Sequence, residues 1–149
     1  MLPISPAGTR QVHLTDSSTT SANETALTAA LLKYARDHKL QDVSNLSVLG
    51  FENGFHGNSL NTILSSDPIT NITEAQALDW PLAPFPDLKY PLAPNEHHNA
   101  AEEERSLEAV RKIIRERRDQ GKDVGAIIIE PISSYNNKVA TPNFYRKLR

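Results

Sequence analysis

Val124-Gly125-Ala126-Ile127-Ile128-Ile129 is a continuous apolar run ending on Glu130-Pro131. It lacks the apolar–polar alternation of a half-exposed strand, so it predicts a parallel strand covered on both faces. Just upstream, Asn99 to Gln120 reads as a helix. Asn99 can cap it, Glu102, Glu103 and Glu104 sit in its first turns, and Arg117 and Arg118 in its last. Both charge biases suit the helix dipole. Glu108 and Lys112 form an i,i+4 pair in the favourable order. Leu107, Val110, Ile113 and Ile114 make the buried stripe, and Gly121 is a natural C′ residue. Helix followed by buried strand is the repeating unit of an α/β fold.

Downstream, Thr141-Pro142 opens another helix, with Thr at the cap and Pro at the first helical position. Upstream lies Asp79-Trp80-Pro81-Leu82-Ala83-Pro84-Phe85-Pro86-Asp87-Leu88-Lys89-Tyr90-Pro91-Leu92. Its four prolines forbid a regular helix or a central strand. Its aromatic mass is more than a disordered linker carries. It is expected to be an ordered extended loop packed on something larger, within a long connection over residues 65–98.

In the first third, Gln11 to Thr15 predicts a short strand. A helix follows from about Ser21 to His38, with Ala26, Leu27, Ala30, Leu31 and Tyr34 inward and Ser21 or Asn23 at the cap. Asn45 to Phe51 reads as β, Gly54-Phe55-His56-Gly57 as a turn, and Ser59 to Leu64 as a short helix. The expectation is an α/β chain: a partial, mostly parallel sheet with flanking helices and exposed edges, a slice of a larger domain.

Length and composition exclude several classes. At 149 residues the chain is one domain at most. A net charge of −2 argues against a nucleic-acid or anionic-membrane surface. No run is long enough to span a bilayer, and Met1 to Pro6 lacks the pattern of a secretory signal. With no cysteine, disulfides, thiolate zinc sites and cysteine-held clusters are excluded. Glu96-His97-His98 has no spaced partner for a metal. The basic residues from Arg111 to Arg118 read as a solvated helix face rather than an RNA surface. Asp16, Ser17 and Ser18 near His13 lack a nucleophile-elbow motif.

Several segments match one family in order: Ser5-Pro6-Ala7-Gly8, Thr19-Thr20-Ser21-Ala22-Asn23-Glu24-Thr25-Ala26, Phe55-His56-Gly57, the Asp79–Leu92 run, Ile128-Ile129-Glu130-Pro131-Ile132, and Phe144 to Arg149. The chain resembles the large, cofactor-binding domain of class III (fold type I) aminotransferases, most closely the 4-aminobutyrate (GABA) aminotransferases. The resemblance covers residues 1–149 and about a third of such an enzyme. It implies pyridoxal 5′-phosphate as cofactor and amino-group transfer from 4-aminobutyrate to 2-oxoglutarate. It implies a phosphate site at Thr19 and Thr20, a ring stack on Phe55 beside His56, and Glu130 at a strand end. Asn58 stands where the family commonly has a substrate-binding arginine. An amide can bond a carboxylate but lacks the charged fork.

Other positions depart further. Thr19 replaces a glycine, Ser133 a glutamine and Tyr135 an acid, and the plain alternative for Thr19–Thr20 is a helix cap with no ligand. The resemblance puts the catalytic lysine and the small domain beyond Arg149, so no residue here is expected to be catalytic. Two roles stay open: an aminotransferase-like enzyme inactive as this piece, or a non-catalytic pseudoenzyme that acts by association. A truncated gene product without function is a third. A homo-oligomer or another protein chain is the expected partner, and cytoplasm or mitochondrial matrix, not secretion, the expected place.

Overall fold

The computed structural model describes residues 5, 7–15, 18–57, 59 and 80–149. The expected helix after Ser59 and residues 65–79 of the long connection lie outside them. The elements in chain order are helix α1 (Thr19–Asp37), strand β1 (Ser47–Phe51), strand β2 (Leu82–Ala83), a 3-10 turn (Ala93–Asn95), helix α2 (Glu96–Asp119), strand β3 (Val124–Ile127) and helix α3 (Pro142–Leu148). The three strands form one sheet in the order β2-β1-β3. Both pairings are parallel, with Gly50 opposite Leu82 and Leu49 opposite Ile127. The chain is therefore α/β, as the helix–strand alternation implies.

Strand β1 is buried throughout, in all five of its residues. The more continuously apolar β3 is an edge among the described residues, with Ile127 37% exposed. The run is a parallel strand with a helix over each face, as expected; its edge place concerns its ladder, not its faces. Val124 packs into the core with Leu107 and Val110 of α2. Its neighbour Gly125 faces α1, where an added Cβ would stand 2.9 Å from Leu31 Cδ2. Successive strand residues point to opposite faces, so α1 and α2 cover opposite sides of the sheet. The ladder shifts register beside this glycine, between Ser47 and Val48, as glycine at a close helix approach allows.

The core joins Leu49, Phe51, Ala83, Leu107, Val110 and Phe144. Phe51, Phe85 and Phe144 meet with ring centroids 6.0 to 6.4 Å apart. Phe85 and buried Pro86 bring the proline–aromatic segment into that core. The same segment supplies β2, a two-residue strand at the sheet edge, where proline is tolerated.

Asn99 overturns its expected role. It lies inside α2, buried, and accepts from Lys89 N–H at 2.8 Å while its amide donates to Lys89 C=O at 2.9 Å. The helix starts three residues earlier, after a 3-10 turn. Ser106 Oγ adds a bond to Pro84 C=O at 2.6 Å. Side chains of α2 thus bond backbone groups of the proline–aromatic segment outside its two ladder residues. Lys112 pairs with Glu116 at 3.7 Å rather than with Glu108. Lys122 N–H bonds Arg117 C=O and Gly121 N–H bonds Arg118 C=O, both at 2.9 Å, with Gly121 at φ +71°. That is a Schellman ending at the expected glycine.

Residues 11–15 form no strand; they have no ladder partner among the described residues. The inward face of α1 includes buried Leu27 and Ala35, while Ala26 is exposed. The turn after β1 falls at Glu52-Asn53, with Asn53 at φ +60°, and residues 54–57 run on without regular structure. Thr141 caps α3 as expected, accepting from Phe144 N–H.

Candidate functional site

Helix α1 begins two residues before the expected start because Ser18 is its cap. Ser18 Oγ accepts from Ser21 N–H at 3.2 Å. Thr19 and Thr20 therefore occupy the first two helical positions. Amides there have no acceptor within the helix and point outward with the positive end of the dipole. Such an end suits an anion.

The segment after β1 folds back onto this end. Gly57 has φ +125°, a region that L side chains avoid. A Cβ there would stand 2.5 Å from Thr20 Oγ1 and 2.9 Å from Thr20 Cβ. Only glycine lets the backbone come so near the helix N-terminus. Asn23 Nδ2 donates to His56 C=O at 3.0 Å, and Ser59 Oγ to Glu24 Oε2 at 2.6 Å. Two consecutive residues of α1 thus hold the chain that leaves β1.

The other side is closed by Glu130, three residues past the end of β3. Its Oε2 accepts from Phe55 N–H at 3.2 Å and Ser134 N–H at 3.3 Å, and its Oε1 from Ser134 Oγ at 3.0 Å. Phe55 is 37% exposed, whereas His56 is buried at 5%. Burial pushes the His56 pKa below its ordinary value, against the opposing pull of the Glu130 carboxylate. The ring is thereby held neutral near pH 7.

Thr20, Phe55, His56 and Glu130, together with Thr19 beside Thr20, are thus linked at the C-terminal ends of β1 and β3. Crevices at strand C-termini are where parallel sheets hold ligands. Asn58 lies outside the described residues. Sequence reasoning missed Asn23, weighed only as a cap, and Ser134, which had no motif. Gly57 stood in the quoted triplet, but its close approach to Thr20 is a tertiary fact. Ser133, in the place of the family's glutamine, is buried, with Oγ 3.4 Å from Asn53 C=O. Tyr135, in the place of the acid, is 59% exposed.

Residues 2–149 match the family model of class III aminotransferases. A 4-aminobutyrate aminotransferase of Emericella nidulans is 34% identical over 171 aligned residues, covering 100% of this chain and 33% of that protein. The mitochondrial 4-aminobutyrate aminotransferase of Homo sapiens is 42% identical over 106 residues, covering 69% of this chain and 21% of that one. Among solved structures, a lysine aminotransferase from M. tuberculosis superposes with a TM-score of 0.73 at 25% identity, covering 89% of this chain and 31% of its own. An amine transaminase from an uncultivated Pseudomonas species, in a PLP-bound form, shares the fold with a TM-score of 0.65 at 20% identity, over 90% of this chain and 30% of its own. The chain spans about a third of the length of the curated relatives it matches. With the parallel sheet, the α1 N-terminus and the order of the motifs, these matches assign the chain to the class III aminotransferases.

Proposed function

We propose that residues 1–149 carry part of the cofactor-binding large domain of a 4-aminobutyrate aminotransferase-like enzyme, holding the phosphate and ring side of pyridoxal 5′-phosphate. The observation that carries this reading is the linkage of Thr20, Gly57, Phe55 and Glu130 around one helix N-terminus. The donor set suits the group: outward amides and hydroxyls of Thr19 and Thr20 for the phosphate, and an exposed phenyl face for a flat ring. Class III aminotransferases use this cofactor, which supplies an electron sink for the substrate carbon. Thr19 and Thr20 would hold the phosphate by N–H and O–H donation. Phe55 would lie against the ring, neutral His56 would back it without adding charge, and Glu130 would wall the strand side. Asn58 would meet a substrate carboxylate through its amide, more weakly than an arginine fork.

Substrates in this reading are amino and keto acids, and the assembly is a homo-oligomer. Named relatives include mitochondrial enzymes, and no described helix is long and apolar enough to cross a membrane. Turnover needs a lysine in the site. Lys138 pairs with Asp87 at 3.0 Å and Lys147 with Glu104 at 2.8 Å, so both are engaged elsewhere. The 149-residue chain alone is expected to bind without transaminating.

Titration with pyridoxal 5′-phosphate, followed by cofactor absorbance and Trp80 fluorescence, tests this. Saturable binding weakened by Phe55→Ala and Thr20→Ala is the expected result, and its absence defeats the reading. A second reading, a pseudoenzyme acting by association, is favoured by exposed Ile127, Ile132 and Tyr135 along β3 and the turn after it. A chain that sediments as a monomer through the micromolar range and captures no copy of itself counts against it.

A further inference from the structure

We propose that Asn23 and Glu130 are a pair of positioning residues that fix the Phe55–His56 segment from opposite sides, so that the phenyl ring is set before a cofactor arrives. The inference rests on the cofactor reading above and assigns roles that the family resemblance does not give. Glu130 Oε2 takes the N–H of Phe55 at 3.2 Å, and Asn23 Nδ2 gives a bond to the C=O of His56 at 3.0 Å. The two bonds bracket the two residues, one from the end of β3 and one from α1. Ser134 completes the clasp: its N–H and Oγ bond the same carboxylate at 3.3 and 3.0 Å. The Glu130 carboxylate is thereby engaged with protein donors, which makes it a holder of the ring platform rather than a direct ligand.

The chemistry demands these side-chain types. A carboxylate offers only acceptors, matching three converging donors. The amide introduced by Glu130→Gln would turn an NH₂ toward one of them. An amide at residue 23 donates to a carbonyl, whereas an aspartate there would oppose oxygen with oxygen. An unheld Phe55 would be mobile, and ordering it on binding would weaken affinity.

The test uses Glu130→Gln and Asn23→Asp, near-isosteric changes, in the 149-residue chain. Without ligand, the Phe55 amide is expected to exchange its hydrogen at least about tenfold faster in Glu130→Gln. With pyridoxal 5′-phosphate, each variant is expected to bind about tenfold more weakly. At saturation each should show a smaller induced circular dichroism per bound cofactor, a signature that simple destabilisation does not produce. Ser134→Ala, which removes one of the three donors, should show a lesser change in the same direction. An unchanged Phe55 exchange rate overturns the clasp. Unchanged affinity and dichroism in both variants, against a wild type that binds, overturns the positioning role alone. No binding by the wild type overturns the functional reading, and the positioning role with it.

Discussion

Gly57 and His56 carry opposite constraints in adjacent positions. Gly57 sits at φ +125° with Thr20 against its backbone. Gly57→Ala is expected to destabilise the chain by about 1–3 kcal/mol through backbone strain and the clash with Thr20. Thr20→Ala in the same molecule should restore only part of that, since Thr20 Cβ itself stands 2.9 Å from the new atom. Full recovery in a thermal melt would show that strain at φ is absent. His56 predicts a pH dependence. Its folded pKa lies below the unfolded value of about 6.5, so the unfolded state binds the proton first. The neutral ring's contribution is complete above about pH 6.5 and is lost as pH falls toward the lower folded value. Urea melts across that window should show His56→Gln with a flatter profile than the wild type. Equal slopes would contradict the burial argument.

At the scale of elements, Glu103 and Asn99 are two of the side chains that tie α2 to its neighbours. Glu103 is buried and accepts from Thr141 N–H at 2.7 Å and Thr141 Oγ1 at 2.9 Å. Thr141 thus turns its hydroxyl proton to α2 and its oxygen to the first turn of α3. Glu103→Ala is expected to cost about 2–3 kcal/mol, because it leaves a part-buried N–H and O–H without their charged acceptor. Hydrogen exchange should show α3 amides losing protection before those of β1. Loss in the opposite order would mean that α3 is held by contacts other than Glu103. Asn99→Ala removes both bonds to Lys89 and should loosen the proline–aromatic segment at a cost of about 1–3 kcal/mol, visible as a shift of Trp80 fluorescence at lower urea than global unfolding. The existence of α1, α2 and α3 was legible from periodicity and capping residues. Their starts were less so. Ser18 takes the cap two positions before the apolar pattern begins. Asn99, a good cap by residue type, is drawn into the helix by the distant Lys89 backbone.

For the whole molecule, stability concentrates on β1, the strand with a ladder neighbour on each side and all five residues buried. Its amides from Val48 to Phe51 are expected to exchange slowest, at the rate of global unfolding. Slower exchange at Ile127 than at Leu49, in dilute chain, would mean that the β3 edge is paired. The short β2 and the exposed Ile127 leave the sheet a narrow one among the described residues.

What the sequence determined by itself was the α/β alternation, the helix stripe of Leu107, Val110, Ile113 and Ile114, the glycine stop at Gly121, the threonine cap at Thr141 and the family of the chain. These depend on contacts within a few residues or on an ordered string of short motifs, both of which a linear reading carries. The tertiary structure alone decided that β1 rather than β3 lies at the sheet centre among the described residues, since the apolar run of β3 is consistent with either place. It also decided that no strand forms at 11–15, where no ladder partner meets the backbone among the described residues. And it decided that Asn23 joins Thr20, Phe55, His56 and Glu130, which the resemblance already grouped, at one end of the sheet. Phe55 and Glu130, 75 positions apart, come within hydrogen-bond reach because parallel pairing aligns the C-terminal ends of β1 and β3, and Asn23 reaches His56, 33 positions away, because α1 packs on the same sheet; neither approach has a local signal in the chain.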